Sequence, residues 1–245
     1  MSAPILLITG ASRGIGAATA KLAATRGFDV AVNYLRDRGS ADAIVKAIEK
    51  AGRRAIAVQA DMANEGDITR MFKEVDDELG RLTHLVYNTG ITGPLSRLEA
   101  IDPKALRDIL EINVLAAFLC AKAAIPRLST RHGGRGGAMV FLSSAAATLG
   151  AAGEYVGYAA SKGAIESMTI GLARELASDG IRVNAVAPGP IATGIHPPGR
   201  LERITQAVPL ARAGTVEEVA ESIVFLLSGA SSYTTGAILR VAGGR

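Results

Sequence analysis

Short apolar runs alternate with longer amphipathic stretches from one end of the chain to the other, and few folds accommodate that pattern. Ile5–Thr9, Asp29–Asn33, Ala55–Gln59, Leu85–Tyr87, Ala138–Leu142, Arg182–Ala187 and Ile238–Val241 are brief and rich in Val, Ile and Leu. They carry little of the alternation of a half-exposed strand, so they predict strands covered on both faces. Helical spacing is predicted near 14–26, 40–51, 65–79, 103–128, 157–178 and 216–228. Strand followed by helix throughout requires a parallel sheet with right-handed crossovers. The expected fold class is α/β, a doubly wound sheet of about seven parallel strands with helices on both faces. No linker, repeat or composition break divides the 245 residues, so residues 1–245 are expected to form one domain.

Boundary chemistry supports these elements. Asp102-Pro103 reads as an N-cap followed by Pro at the first helical position. Gly27, Gly52 and Gly80 follow helical stretches, where a left-handed residue ends the helix. The glycine-rich stretch Arg131–Gly137 lies between a helix and a strand and reads as a loop. Gly189–Gly214, with Pro190, Pro197, Pro198 and Pro209, is long for a connection and has the length of a substrate lid.

Composition removes several function classes. At 49% hydrophobic and 20% charged residues, the chain is too apolar for intrinsic disorder. Cys120 is the only cysteine, and His84, His132 and His196 are scattered, so neither a disulfide framework nor a metal site is expected. The N-terminus has no basic segment, and the longest apolar stretch, Val114–Ala121, is far short of the roughly 20 residues that span a bilayer. A soluble, cytoplasmic protein with no membrane partner is expected. The net charge is +4, but the basic residues are dispersed, only 4% of residues are aromatic and there is no Trp. Nucleic-acid binding needs a basic stripe and stacking aromatics, so it ranks last among the readings.

Directly after the first strand comes Thr9-Gly10-Ala11-Ser12-Arg13-Gly14-Ile15-Gly16, which opens a helix. Glycines at 10, 14 and 16 allow a tight turn, close approach of the backbone to a pyrophosphate, and close helix–strand packing. The helix N-terminus offers free N–H groups and partial positive charge to the anion. With this turn, the chain has Asp61-Met62, Asn88-Thr89-Gly90, Asn113, Ser144, Tyr158-Ala-Ala-Ser-Lys162, Pro188-Gly189-x3-Thr193 and the tail to Gly243-Gly244, in that order. In these residues it resembles the short-chain dehydrogenase/reductases of the single-domain type, over essentially its whole length. The resemblance implies a Rossmann fold, a nicotinamide dinucleotide cofactor and carbonyl–alcohol chemistry.

Tyr158 and Lys162 stand four apart, on one helical face. An unperturbed tyrosine, with a pKa near about 10, is a poor acid–base group at neutral pH. A neighbouring ammonium favours the phenolate, so the pair is expected to lower the Tyr158 pKa by up to about 3 units. Tyr155, with Ala159 at the same offset, has no such partner. The resemblance favours Ser144 over the adjacent Ser143 as the hydroxyl that steadies the substrate oxygen. It also implies that Asn113 kinks its helix and holds a water leading to Lys162. Lys162 would bond the nicotinamide ribose, and Ile191 and Thr193 would contact the carboxamide. Asp61 and Asn88–Gly90 would line the adenine and ribose. Three positions depart from the family pattern. Tyr87 and Thr89 replace residues of an Asn-Asn-Ala-Gly motif and are expected to crowd the cofactor side. Ala242 stands where many members carry Asp, and a changed tail contact near a subunit interface is expected.

Members that bind NAD end the second strand with an acidic residue on the ribose 2′-hydroxyl. Here Tyr34 holds that place, and Arg13 and Arg36 flank it, so NADP(H) is favoured as cofactor and NAD(H) remains possible, with Asp37 a rival ribose ligand. The expected function is an NADP(H)-dependent oxidoreductase interconverting a carbonyl and a secondary alcohol. Small ketones, sugars or polyols are the favoured substrates, and a 3-oxoacyl-carrier-protein substrate is the alternative. A non-catalytic cofactor sensor on the same fold is a further alternative. His196, Arg200, Arg203 and Leu149 are candidate substrate contacts, and Arg131 and Arg135 a candidate basic rim for an acidic carrier. The resemblance also implies a homotetramer, or a homodimer, paired through the helices that carry Asn113 and Tyr158.

Overall fold

The computed structural model describes residues 3–194 and 197–245. Seven strands form a single parallel sheet in the order β3-β2-β1-β4-β5-β6-β7. They are β1 (Ile5–Ile8), β2 (Asp29–Tyr34), β3 (Ala55–Gln59), β4 (His84–Tyr87), β5 (Gly137–Leu142), β6 (Ile181–Pro188) and β7 (Ile238–Val241). The helices are α1 (Gly14–Thr25), α2 (Arg38–Lys50), α3 (Glu65–Glu78), α4 (Pro103–Leu110), α5 (Ala116–Leu128), α6 (Ala146–Leu149), α7 (Val156–Leu176), α8 (Arg200–Thr205) and α9 (Val216–Leu227). Every strand and long helix falls where the apolar pattern placed it, apart from one interruption. The stretch expected as one helix over 103–128 is broken by a π-helical turn, Glu111–Leu115. The short helices α6 and α8 have no apolar period long enough to read.

The two faces of each strand feed two cores. Leu7, Leu85, Tyr87, Met139 and Phe141 join Phe72, Cys120 and Ile165 under α3, α5 and α7. Leu6, Ile8, Val86, Val140 and Leu142 join Ala20, Ala23, Ile48 and Ile223 under α1, α2 and α9. Burying both faces is what the unalternating apolar runs required. Pro103–Leu128 is the one helix among the described residues long and apolar enough to cross a membrane by length and composition. Its inner face, with Ala117, Cys120, Ala121 and Ala124, packs into the first core.

Helix ends follow the boundary signals. Asp102 accepts from Lys104 N at 2.9 Å and Pro103 opens α4, while Gly27, Gly52 and Gly80 all have positive φ after their helices. Strand order reverses direction between β1 and β4, and in such sheets ligands bind beyond the carboxyl ends of the strands at that switch. The loops leaving β1, β2, β3, β4, β5 and β6 all emerge at this edge.

Candidate active site

A cleft of about 660 Å3 runs along that edge, within the size range of cofactor sites. Its wall includes Gly10, Ser12, Arg13, Gly14 and Ile15 from the first turn, Tyr34 and Arg36 from the end of β2, and Asp61 and Met62 after β3. Asn88, Gly90, Ser144, Tyr158, Lys162, Pro188, Ile191 and Thr193 line it as well. Three expected residues stand behind the wall. Gly16 packs inside the turn, Gly189 lies against Ala242, and Asn113 is fully buried beyond Gly90.

The first turn is built to meet an anion. Gly10 and Gly14 have φ of +61° and +58°, a region that side chains rarely enter. A Cβ on Gly16 would come within 2.6 Å of the Gly10 carbonyl oxygen, so glycine is required there for close packing. Asn33 braces the turn from β2: its Oδ1 accepts from Gly10 N at 3.0 Å, and its Nδ2 donates to the carbonyls of Val58 and Ala60, each at 3.2 Å. Asn88 braces it from β4, donating from Nδ2 to the carbonyls of Thr9 at 2.9 Å and Gly10 at 3.0 Å. Asn33 was not among the expected site residues, although a polar residue ending an apolar strand was a readable signal.

The helices α2, α3, α4 and α9 have side-chain N-caps from Asp37, Asn64, Asp102 and Thr215. Helix α1, like α5, α6, α7 and α8, has none; it has no acidic residue in its first turn, and its opening residues Gly14 and Ile15 line the cleft. Thr89 lines the same wall with its Oγ1 buried and without a hydrogen-bond partner among the described residues. The open helix end, the glycine cradle and this unpaired hydroxyl fit a dinucleotide.

At the far end of β2, Asp37 is committed to capping α2. Its carboxylate accepts from Ser40 N at 2.9 Å and Ser40 Oγ at 2.6 Å. The Ser40 hydroxyl and amide, with a smaller contribution from the Arg13 charge, hold the Asp37 carboxyl below the usual carboxylate range. Arg13 and Arg36 are exposed on the cleft rim, and neither forms an ion pair among the described residues. Tyr34 is buried with β2.

Tyr87 does not crowd the cofactor side. Strand side chains alternate between faces, so Tyr87 points away from Asn88 into the first core, where its ring lies 6.5 Å from that of Phe141 and its hydroxyl donates to the Ile112 carbonyl. Of the departing positions Tyr87, Thr89 and Ala242, Thr89 alone borders the cleft. Ala242 packs on the Gly189 backbone, where a Cβ on Gly189 would meet its Cα at 2.8 Å; its contact is with the loop that carries Ile191 and Thr193.

The catalytic candidates converge on the cleft from β5 and α7. Ser144 follows β5 and lines the cleft together with Tyr158, and its Oγ accepts from Ala146 N at 3.1 Å. The neighbouring Ser143 is spent elsewhere, donating to Glu166 Oε1 at 2.8 Å, which separates the two serines. Lys162 is buried, its Nζ donates to the Leu142 carbonyl at 2.6 Å and stands 5.7 Å from the centre of the Tyr158 ring. Burial pushes the Lys162 ammonium down to about 8.

The expected lowering of the Tyr158 pKa is corrected. Burial raises it, and the Ser144 hydroxyl and the Arg200 charge offset that only in part. The ammonium bonds a carbonyl rather than the phenol, so desolvation outweighs the attraction.

Asn113 lies within the π turn Glu111–Leu115. Its Oδ1 accepts from Ile91 N at 2.8 Å, and its Nδ2 donates to the Ile91 carbonyl and Ser161 Oγ, each at 2.9 Å. A Cβ on Gly90 would lie 3.3 Å from both Asn113 Oδ1 and Lys162 Nζ, so both groups pack against the same side of that glycine.

Of the candidate substrate contacts, Arg200 and Arg203 both pair with Glu154, the former at 2.9 Å, and Arg200 lies 4.8 Å over the Tyr155 ring. Glu154 was not anticipated. Leu149 is exposed at the end of α6, and His196 lies outside the described residues. Arg131 and Arg135 precede β5 and therefore sit at the opposite edge of the sheet, with Arg131 bonded to Asp179 at 2.8 Å. They form no rim to this cleft. Among the described residues no group of three or more His, Cys, Asp or Glu is placed to hold a metal ion.

Comparison with known proteins agrees with this geometry. A family model described as enoyl-(acyl carrier protein) reductase matches residues 10–245. The chain is 44% identical over 245 residues to the oxidoreductase YgfF of Escherichia coli (strain K12), covering 98% of this chain and 99% of that protein. It is 40% identical over 247 residues to a 3-oxoacyl-[acyl-carrier-protein] reductase of Synechocystis sp. (strain ATCC 27184 / PCC 6803 / Kazusa), covering 100% of this chain and 97% of that protein. A short-chain dehydrogenase from Burkholderia cenocepacia J2315, solved in complex with NADP, superimposes with a TM-score of 0.91 at 36% identity, covering 98% of this chain and 97% of that one. An uncapped helix end, a serine–tyrosine–lysine cluster and whole-length similarity of this kind lead to one conclusion: the chain belongs to the short-chain dehydrogenase/reductase family of oxidoreductases.

Proposed function

We propose that this protein is an NADP(H)-dependent reductase that converts a ketone-type carbonyl to a secondary alcohol, with Tyr158 as the acid. The observation that carries the reading is the convergence of Ser144, Tyr158 and Lys162 on the cleft that the open end of α1 also faces. When bound, a nicotinamide dinucleotide supplies the hydride; the chain handles the proton.

Desolvation raises the Tyr158 pKa, so the phenol is the protonated form that donates to the carbonyl oxygen in reduction. Ser144 steadies the charge that develops on that oxygen. Lys162, charged below about pH 8, stabilises the phenolate left behind. Asn113 holds the Gly90–Ile91 backbone against Lys162 and supports the return of a proton through that junction. Pyrophosphate belongs at Gly10–Gly16, the adenine and ribose at Asp61, Met62, Asn88 and Gly90, and the carboxamide at Ile191 and Thr193. Arg13 and Arg36 are placed for a 2′-phosphate, with Asp37 occupied by Ser40.

Small ketones, sugars or polyols are the substrates favoured, admitted beneath a lid formed by residues 189–214. The 40% identity to a 3-oxoacyl-[acyl-carrier-protein] reductase supports a second reading, a 3-oxoacyl thioester. The proposed assembly is a homotetramer, or a homodimer, in the cytoplasm. Titration with NADPH and NADH, followed by nicotinamide fluorescence, tests the cofactor assignment. NADPH is expected to bind at least about tenfold tighter, as one charge-assisted bond to phosphate supplies. Replacing both Arg13 and Arg36 by Ala is expected to erase the preference. Tighter NADH binding would contradict it.

A further inference from the structure

We propose that Tyr87 is a positioning residue for the proton-handling centre, its hydroxyl holding the π turn that presents Asn113 to Gly90 and Lys162. In an α-helix the Ile112 carbonyl would accept from the N–H of residue 116. In the π turn Glu111–Leu115, Ala116 N donates instead to the Glu111 carbonyl. The Ile112 oxygen thereby loses its helical partner, and the Tyr87 hydroxyl donates to it from β4. A buried carbonyl without a donor is costly, so the π turn and the tyrosine stabilise each other.

The turn matters because of its phase. One inserted residue rotates everything beyond it by about 100° around the helix axis. Asn113 lies inside that turn, and all three of its side-chain hydrogen bonds go to Ile91 and Ser161. If the turn relaxed to α-helix, Asn113 would leave Ile91, and Gly90 would lose the packing that brings Lys162 Nζ beside it. Tyr87 is well suited to hold the turn, being almost completely buried against Phe141, and burial keeps its phenol protonated well beyond the neutral range. It touches neither the cleft nor the reacting atoms, so it acts through Asn113.

Two measurements on Tyr87→Phe test the proposal, and only the second rests on the reductase reading. In the cofactor-free protein, hydrogen exchange of peptides covering residues 88–93 and 109–117 is expected to quicken by about tenfold, with α9 unchanged. In the reduction of ethyl acetoacetate by NADPH, kcat is expected to fall about tenfold, the size of one lost hydrogen bond, with KM and NADPH affinity unchanged. The alkaline limb of the pH profile is expected to move upward as water reaches Lys162. In an Asn113→Ala background Tyr87→Phe is expected to cause no further loss. Unchanged exchange, or a kinetic loss that adds fully to that of Asn113→Ala, would overturn the proposal. Tyr87→Leu, which also lacks the donor, replaces the Phe variant if that variant is insoluble. A wild-type protein that reduces no ketone would count against the reductase reading, while exchange would still decide the role of Tyr87.

Discussion

Lys162 is a cation that this fold holds out of water, with one carbonyl as its hydrogen-bond partner. Its pKa falls from 10.5 to about 8 because burial penalises the charge. Below about pH 8 the folded and unfolded chains both carry the proton, and the folded state bears the full desolvation penalty. Between about pH 8 and 10 the unfolded chain still holds the proton and the folded one does not, so stability rises with pH across that window. Lys162→Met is therefore expected to remove this rise in chemical denaturation measured from pH 7 to 10, and to abolish turnover. A rise that persists in the variant would place its origin elsewhere. At this scale the i, i+4 spacing of Tyr158 and Lys162 was legible in the sequence, and the resemblance pointed to Ser144. The sequence could not weigh burial against attraction, which is why the Tyr158 shift came out with the opposite sign. The physical ground for preferring Ser144 to Ser143 was not legible, because it lies in the bond from Ser143 to Glu166, 23 residues away in sequence. The orientation of Tyr87 was readable, since Val86 and Asn88 on either side must face the other way.

Among the elements, the strand–turn–helix unit of β1 and α1 does most to define the site. Gly14 and Gly16 play different parts in it. A Cβ on Gly14 meets only Thr193 Cγ2, at 4.0 Å, and suffers from its positive φ; a Cβ on Gly16 strikes the backbone of Gly10 at 2.6 Å and Asn88 Nδ2 at 2.7 Å. Gly16→Ala is therefore expected to lower the thermal midpoint and weaken NADPH binding more than about tenfold, and Gly14→Ala to weaken binding with a smaller loss of stability. Equal effects on stability would contradict that division. The seven strands and six long helical stretches were legible because each carries its own period and end signals. The π turn was not, because it keeps the apolar pattern of the helix around it. Nor was the ion-paired support of α8, since Glu154 and Arg200 come together only across the fold.

In the whole molecule, the sheet order explains which basic residues belong to the site. Arg13 and Arg36 leave the carboxyl ends of β1 and β2, whereas Arg131 and Arg135 enter β5 from the other side. That distinction was available from the strand predictions alone, because successive parallel strands point the same way. The outer face of the Asn113 and Tyr158 helices leaves Leu110, Leu115, Phe118 and Ile170 between 40% and 46% exposed, an apolar surface that the proposed subunit pairing would cover. Phe118→Glu is expected to disperse the assembly in light scattering at unchanged helical content; a wild-type protein that is already monomeric would contradict the pairing.

The most direct measurement is turnover of Tyr158→Phe with NADPH across a panel of ketones, sugars and 3-oxoacyl thioesters, with NADPH affinity measured on the same sample. Loss of the proton donor is expected to lower kcat by about 10²–10⁴-fold, the span of general acid catalysis, while cofactor affinity and folding stay as in the wild type. Near-normal turnover in that variant would show that Tyr158 is not the acid.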